Sequence, residues 1–170
     1  FMVDKKTKVL VQDIDLSRFK QELGADRVLL NSIADAGKNV TEDRDAKLEK
    51  LKEAIVAKIN HPLNLNNKKV IVFTAFADTA QYLYAQLARW AQNELNLHSA
   101  LVTGGGTNKT TLIGVGSELN SILTAFSPTS KERDKIDPGA TAESDLLIAT
   151  DCISEGQNLQ DCDTLINYDI

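Results

Sequence analysis

Cysteine, histidine, proline and tryptophan are all scarce in this 170-residue chain: two Cys, two His, three Pro and one Trp. Two cysteines, Cys152 and Cys162, are too few for a disulfide framework, so a reduced cytoplasmic setting is expected. They stand ten positions apart without a CxxC pair, and His61 and His98 add little, so no metal site is expected. So few histidines and thiols also leave almost no possible nucleophile–base pairs. No apolar run approaches the roughly 18 residues that would span a bilayer, so no membrane partner is expected. No charged start precedes an apolar stretch, so no signal peptide is expected. Phe1 ahead of Met2 reads as a remnant before the intended start and is set aside.

What is present is an ordinary globular composition, 42% hydrophobic and 25% charged, which excludes disorder of the whole chain. The length suits one domain with a modest extension. Charge is unevenly spread. Residues 1–65 hold 12 basic and 11 acidic side chains, whereas residues 66–170 hold 7 basic and 13 acidic. That balance argues against a domain that coats nucleic acid by charge alone. It leaves open contact with a phosphate backbone through hydroxyls and main-chain amides.

Apolar spacing predicts a helix over Asp15–Asp35, stopped at Gly37, and a second over Thr41–Ile59, where Leu48, Leu51, Ile55 and Ile59 form one stripe among lysines and glutamates. The Lys47–Lys58 charges read as a solvated face. Pro62 ends that helix. Val70-Ile71-Val72-Phe73 is a short, continuous, β-branched run, as in a strand buried on both faces of a parallel sheet. A helix over residues 78–97 follows, with Asp78 as its expected cap and Trp90 in a packing role. Further strands are expected at Ser99–Val102, Leu146–Ala149 and Leu165–Tyr168, with a helix over Leu112–Phe126. Ser127–Glu143, with two prolines, Gly139 and five consecutive charges, reads as an exposed, flexible insertion. Strand–helix–strand alternation with buried-type runs defines an α/β domain with a parallel sheet.

Two stretches bear on chemistry. Gly104–Thr110 has the look of a phosphate-binding loop, but Asn108 stands where the glycine before the lysine is needed. A flexible loop, or amides lying against a nucleic-acid backbone, are the other readings. Gly114-Val115-Gly116 lacks the third glycine of a dinucleotide site. The informative stretch is SDLLIATDCISEGQNLQDCDTLINYD, residues 144–169. A buried strand ends at Ala149-Thr150-Asp151, and ligands of open parallel sheets bind at strand carboxyl ends. Thr150 can hold a phosphate, Gly156 allows close backbone approach, and Asn158 carries both a donor and an acceptor. Asp161 and Asp163 around Cys162 read as a solvated turn.

ATD, SEGxNLQ and INYD in that order resemble motif V and its surroundings in the superfamily 2 helicases and translocases, in the branch related to Swi/Snf remodelling ATPases. Val70–Thr74 with Phe76 resembles motif IV, and Leu101–Gly104 the strand and loop after it. The resemblance covers residues 45–105 and 117–170. It implies a RecA-like, three-layer α/β lobe of the P-loop NTPase type over residues 45–170; residues 1–44, outside the resemblance, are expected as an N-terminal helical extension, and 127–143 as the flexible insertion read above. It implies an ATP-dependent motor moving on nucleic acid, duplex DNA for this branch, with ATP and Mg2+ as cofactors of the whole protein. By position, Thr74, Thr103, Gly104 and Thr150 would touch nucleic acid. Glu155, Gly156 and Asn158 would lie at the ATP cleft. Asp151, Ser154 and Gln160 would support motif V.

The sequence holds no Walker A lysine motif and no DExx box, and no motif VI arginine follows INYD. The expectation is therefore a lobe truncated before motif VI, lacking its N-terminal RecA-like partner lobe, with no catalytic residue, no tightly bound cofactor and no activity alone. The other readings are a non-catalytic protein-interaction module that keeps the fold, and a small-molecule-binding doubly wound domain.

Overall fold

The computed structural model describes residues 14–39, 44–105, 108–153 and 156–169. The chain forms two compact units, residues 1–46 and 47–170. The first carries helix α1 (Leu16–Lys38). Asp15 caps it, its carboxylate accepting from the amides of Ser17 and Arg18 at 3.1 and 3.0 Å, which satisfies two of the helix's free donors. The helix runs through Gly37 and closes at Asn39, so the expected stop is shifted. None of its residues is buried, and Leu23, Val28, Leu29, Leu30 and Ile33 are exposed.

The second unit is built on a five-stranded sheet in the order β3-β2-β4-β1-β5. Helix α2 (Ala46–Asn60) leads into β1 (Val70–Phe73), α3 (Ala77–Leu95) and β2 (Ser99–Val102). Then follow a two-residue β3 (Lys109–Thr110), α4 (Leu119–Phe126), the single turn α5 (Arg133–Ile136), β4 (Leu146–Ala149) and β5 (Leu165–Asn167). β1, β2, β4 and β5 are parallel, and only β3 runs against its neighbour β2.

Strand alternation assigns each side chain to one of two cores. Val70, Val72, Leu101, Leu146 and Ile148 pack with Leu48, Leu51 and Ile55 of α2 and Leu83 and Leu87 of α3. Ile71, Ala100, Val102, Leu147 and Ala149 pack with Ile122, Leu123 and Phe126 of α4. Apolar burial on both faces is why these strands read as unbroken hydrophobic runs. The result is a mostly parallel α/β sheet with helices on either side, a RecA-like architecture.

Several local expectations are corrected. The helix expected from Leu112 begins only at Leu119, with Glu118 at its N-cap, because Gly114 takes φ +86°, a turn conformation that breaks the helix. Asp78 is not the cap of α3. Phe76 holds that position without a side-chain bond, and Asp78 lies in the first turn, where its charge favours the helix dipole. β5 is an edge strand, with Leu165 62% exposed. Lys58 is not on a solvated face but buried. In the 127–143 segment the expectation of exposure fails at Ser127 and Arg133, which are buried.

Candidate functional site

The parallel strands bring four chain crossings to one edge. Val102 and Phe73 both pair with Ala149 in register, and Asn167 pairs with Phe73. Thr103, Thr150, Thr74 and Tyr168 therefore leave the sheet from one row, each strand about 4.8 Å from the next. Sequence inspection located the threonines singly. Their common row follows only from the register.

Their side chains are not displayed alike. Thr74 is fully buried, Thr150 and Thr103 nearly so, at 3% and 4% exposure. The Thr74 hydroxyl donates to Asp169 at 2.6 Å, and the same carboxylate oxygen accepts the Ala75 amide at 2.6 Å. The Thr150 hydroxyl lies 3.5 Å from the Cys152 sulfur, and its amide donates to the Val102 carbonyl at 3.2 Å. The Thr103 hydroxyl has no partner among the described residues, while the Thr103 amide is taken by Asn108 Oδ1 at 3.1 Å. What the edge exposes is Gly104 and Gly105, Ala75 and Phe76, and Asp151. A Cβ on Gly104 would meet that of Cys152 at 3.7 Å, so the β2 and β4 loops lie side by side. Asp169, in the INYD stretch, was not singled out from sequence; its place directly after a strand was the available signal.

Beyond Asp151–Ile153, a 3-10 turn, Ser154 and Glu155 lie outside the described residues. Gly156 is exposed at φ +69° with nothing near its Cβ position, a conformation that favours glycine. Asn158 is exposed, its amide donating to the Ser130 carbonyl at 3.2 Å, and Gln157 accepts from Lys131 Nζ at 2.8 Å. Gln160 is exposed. Asp161 is no solvated turn residue. Its carboxylate accepts the amides of Thr129 and Ser130 at 2.7 and 2.8 Å, together with the Ser130 hydroxyl. The chain from Gln157 to Asp161 is thus fastened to the 127–136 segment at three points, none of which spacing alone would disclose.

Lys109 lies in β3, not at a helix N-terminus as the lysine of a phosphate-binding loop does. His98 Nδ1 lies 3.2 Å from the Thr111 hydroxyl, and His61 is exposed at the end of α2. Burial pushes the Cys162 thiol up, and the thiol donates to the Thr164 carbonyl at 3.2 Å, the environment of an inert cysteine. Among the described residues no three His, Cys, Asp or Glu side chains gather as a metal site. No described helix is long and apolar enough to cross a membrane.

The sheet and the loops at its carboxyl edge place the 47–170 unit in the RecA-like α/β class. Residues 46–170 match the helicase conserved C-terminal domain. The chain belongs to that family, and this region is the lobe of a helicase-type nucleic-acid motor. A comparison with curated proteins finds no match.

Proposed function

We propose that this lobe works in an ATP-dependent translocase of the Swi/Snf-related branch, gripping the backbone of duplex DNA with the carboxyl edge of its sheet. The observation that carries the reading is the common row of the 74, 103 and 150 strand ends, continuous with the 151–160 loop. Such an edge is where open α/β sheets bind ligands. With the threonine side chains buried, phosphate would be met by the exposed backbone around Gly104 and Asp151, as backbone-positioning contacts are. Thr150 and Thr74 act on that backbone from beneath, Thr74 by ordering Asp169 and the loop to Phe76.

ATP would meet this lobe from one side only. Exposed Gly156 and Asn158, together with Glu155, would offer a ribose or interlobe contact. Bound ATP with Mg2+ supplies the anhydride that is cleaved. The partner lobe would supply the phosphate-binding loop, and this chain alone would hydrolyse nothing. Asp151, Ser154 and Gln160 would hold the loop between the two ligands, so that lobe closure changes the grip on DNA.

The test is the ATPase rate of the protein carrying both lobes, with and without duplex DNA. Thr150→Val removes the hydroxyl at nearly constant shape, and Glu155→Ala removes the cleft carboxylate. Each is expected to lower the DNA-stimulated rate at least tenfold, with circular dichroism unchanged. Folded wild-type protein that hydrolyses ATP under no nucleic acid would overturn the motor reading and leave a helicase-shaped interaction module.

A further inference from the structure

A cavity of about 710 Å³ opens between α4, the 113–116 turn and the 131–142 segment, within the size range of small-molecule sites. None of the strand-end residues Thr74, Thr103, Thr150 and Tyr168 lines it. Helix α4 buries Ile122, Leu123 and Phe126 under the sheet, so its Asn120, Ser121 and Thr124 give the cavity a polar wall. Ile113 and Ile136, 97% and 68% exposed, stand at its open rim as apolar side chains.

Its distinctive member is Arg133, 9% exposed. One guanidinium nitrogen donates to the Ala142 carbonyl at 2.8 Å and another to Glu143 at 3.3 Å. The Nε–H has no acceptor among the described residues and is fully enclosed by protein, so what Arg133 offers the cavity is its positive charge rather than that donor. Glu143 does not neutralise Arg133 alone, because it also pairs with Lys69 at 2.9 Å. Lys131 adds a second cation to the lining and Asp137 the one opposing carboxylate. A cationic donor set beside isoleucines suits a small organic anion: one anionic head and an apolar body about the size of two fused rings.

The same segment holds the chain from Gln157 to Asp161. Lys131 reaches Gln157, and the Ser130 carbonyl accepts from Asn158. We propose that this cavity is a binding site for a small amphiphilic anion, and that its occupancy is transmitted through Ser130 and Lys131 to Gln157 and Asn158. Binding stands without the motor reading; the regulatory meaning of the transmission rests on it.

The probe is 8-anilinonaphthalene-1-sulfonate, titrated into the 170-residue chain by fluorescence and by amide chemical shifts. The expected result is one saturable site, with shifts at Gly114, Gly116, Ser121 and Thr124 and a second group at Gln157 and Asn158. Gly116 is not in the left-handed region, and a Cβ there meets only the Ser121 hydroxyl at 3.9 Å. Gly116→Leu can therefore fill the cavity without backbone strain, and should weaken the probe at least tenfold. Arg133→Gln should do likewise while leaving neutral N-phenyl-1-naphthylamine unaffected; if that variant fails to fold, Gly116→Leu still decides. Unchanged affinity in Gly116→Leu, shifts confined to α1, or equal binding of the neutral amine would each overturn the site. Shifts in the cavity with none at 157–158 would overturn the transmission. None of these readouts uses ATP hydrolysis, so loss of the motor reading would register separately.

Discussion

Lys58→Met is expected to destabilise the 47–170 unit by about 3 kcal/mol, lowering its melting temperature by roughly 6–12 °C. Lys58 Nζ lies 2.5 Å from Asp163 Oδ1, with side-chain exposures of 5% and 13%. The carboxylate also accepts from the Asn64 side chain at 2.9 Å, its amide at 3.3 Å and the Thr164 hydroxyl at 2.9 Å. The pair ties the last turn of α2 to the chain entering β5. Removing the ammonium leaves a buried carboxylate without its counter-charge, the costly half of breaking such a pair. Lys58→Met with Asp163→Leu should recover much of the loss, because both charges then leave the interior together. Urea melts of the two single variants and the double variant close the cycle. An additive double variant would mean that the pair does not act as a unit.

The same pair sets an acid limit. Burial pushes the Asp163 carboxyl up, but hydrogen bonds from Lys58, Thr164 and Asn64, with the Lys58 charge, outweigh it and bring it down to about 2. The unfolded carboxyl titrates near 3.9, so in acid the unfolded chain binds the proton first. The stabilisation is complete above about pH 4 and lost as pH falls through about 2, on the order of 2 kcal/mol. In Lys58→Met this acid dependence should shrink.

The strands were legible because burial on both faces leaves no polar alternation to blur them. Val70–Phe73 and Leu146–Ala149 carry their burial in their composition. Thr150, Gly156 and Asn158 drew attention because the loop's residue types are unusual together. Lys58 was not, because a lysine on a helix is read as solvated until its partner is known, and Asp163 is over a hundred positions away. Within the largely exposed 127–143 segment, buried Arg133 was missed for the same reason. The segment's charges look like those of a free loop, yet Arg133 and Lys131 have acceptors at Ala142, Glu143 and Gln157. Register is a third blind spot, since the row of Thr103, Thr150 and Thr74 comes from strand order, which no single strand encodes. Helix α4 was overextended because apolar content counted for more than the left-handed backbone at Gly114.

Asp161→Ala should raise amide hydrogen exchange over residues 128–136 by about 30-fold, the equivalent of about 2 kcal/mol of local stability. Its carboxylate closes the turn at Thr129 and Ser130 as a cap closes a helix, accepting two amides and a hydroxyl. Burial raises its pKa, but the Ser130 hydroxyl and the Thr129 and Ser130 amides outweigh that, so the carboxyl lies below the usual range. A depressed folded value means that this stabilisation is present above the ordinary carboxylate pKa and lost as pH falls below it. Asp161→Asn keeps one acceptor oxygen and should give an intermediate effect. The Asp161 backbone carbonyl, which accepts from Asn67 at 2.9 Å, is untouched by either change, so the strand entering the sheet stays anchored. Global stability by urea should therefore move much less than local exchange. With the turn released, Ser130 and Lys131 no longer hold Asn158 and Gln157 in place, and faster exchange should spread to 157–158. Protection at 157–158 that survives Asp161→Ala would mean that the loop is ordered by the sheet edge itself rather than by the 127–136 segment.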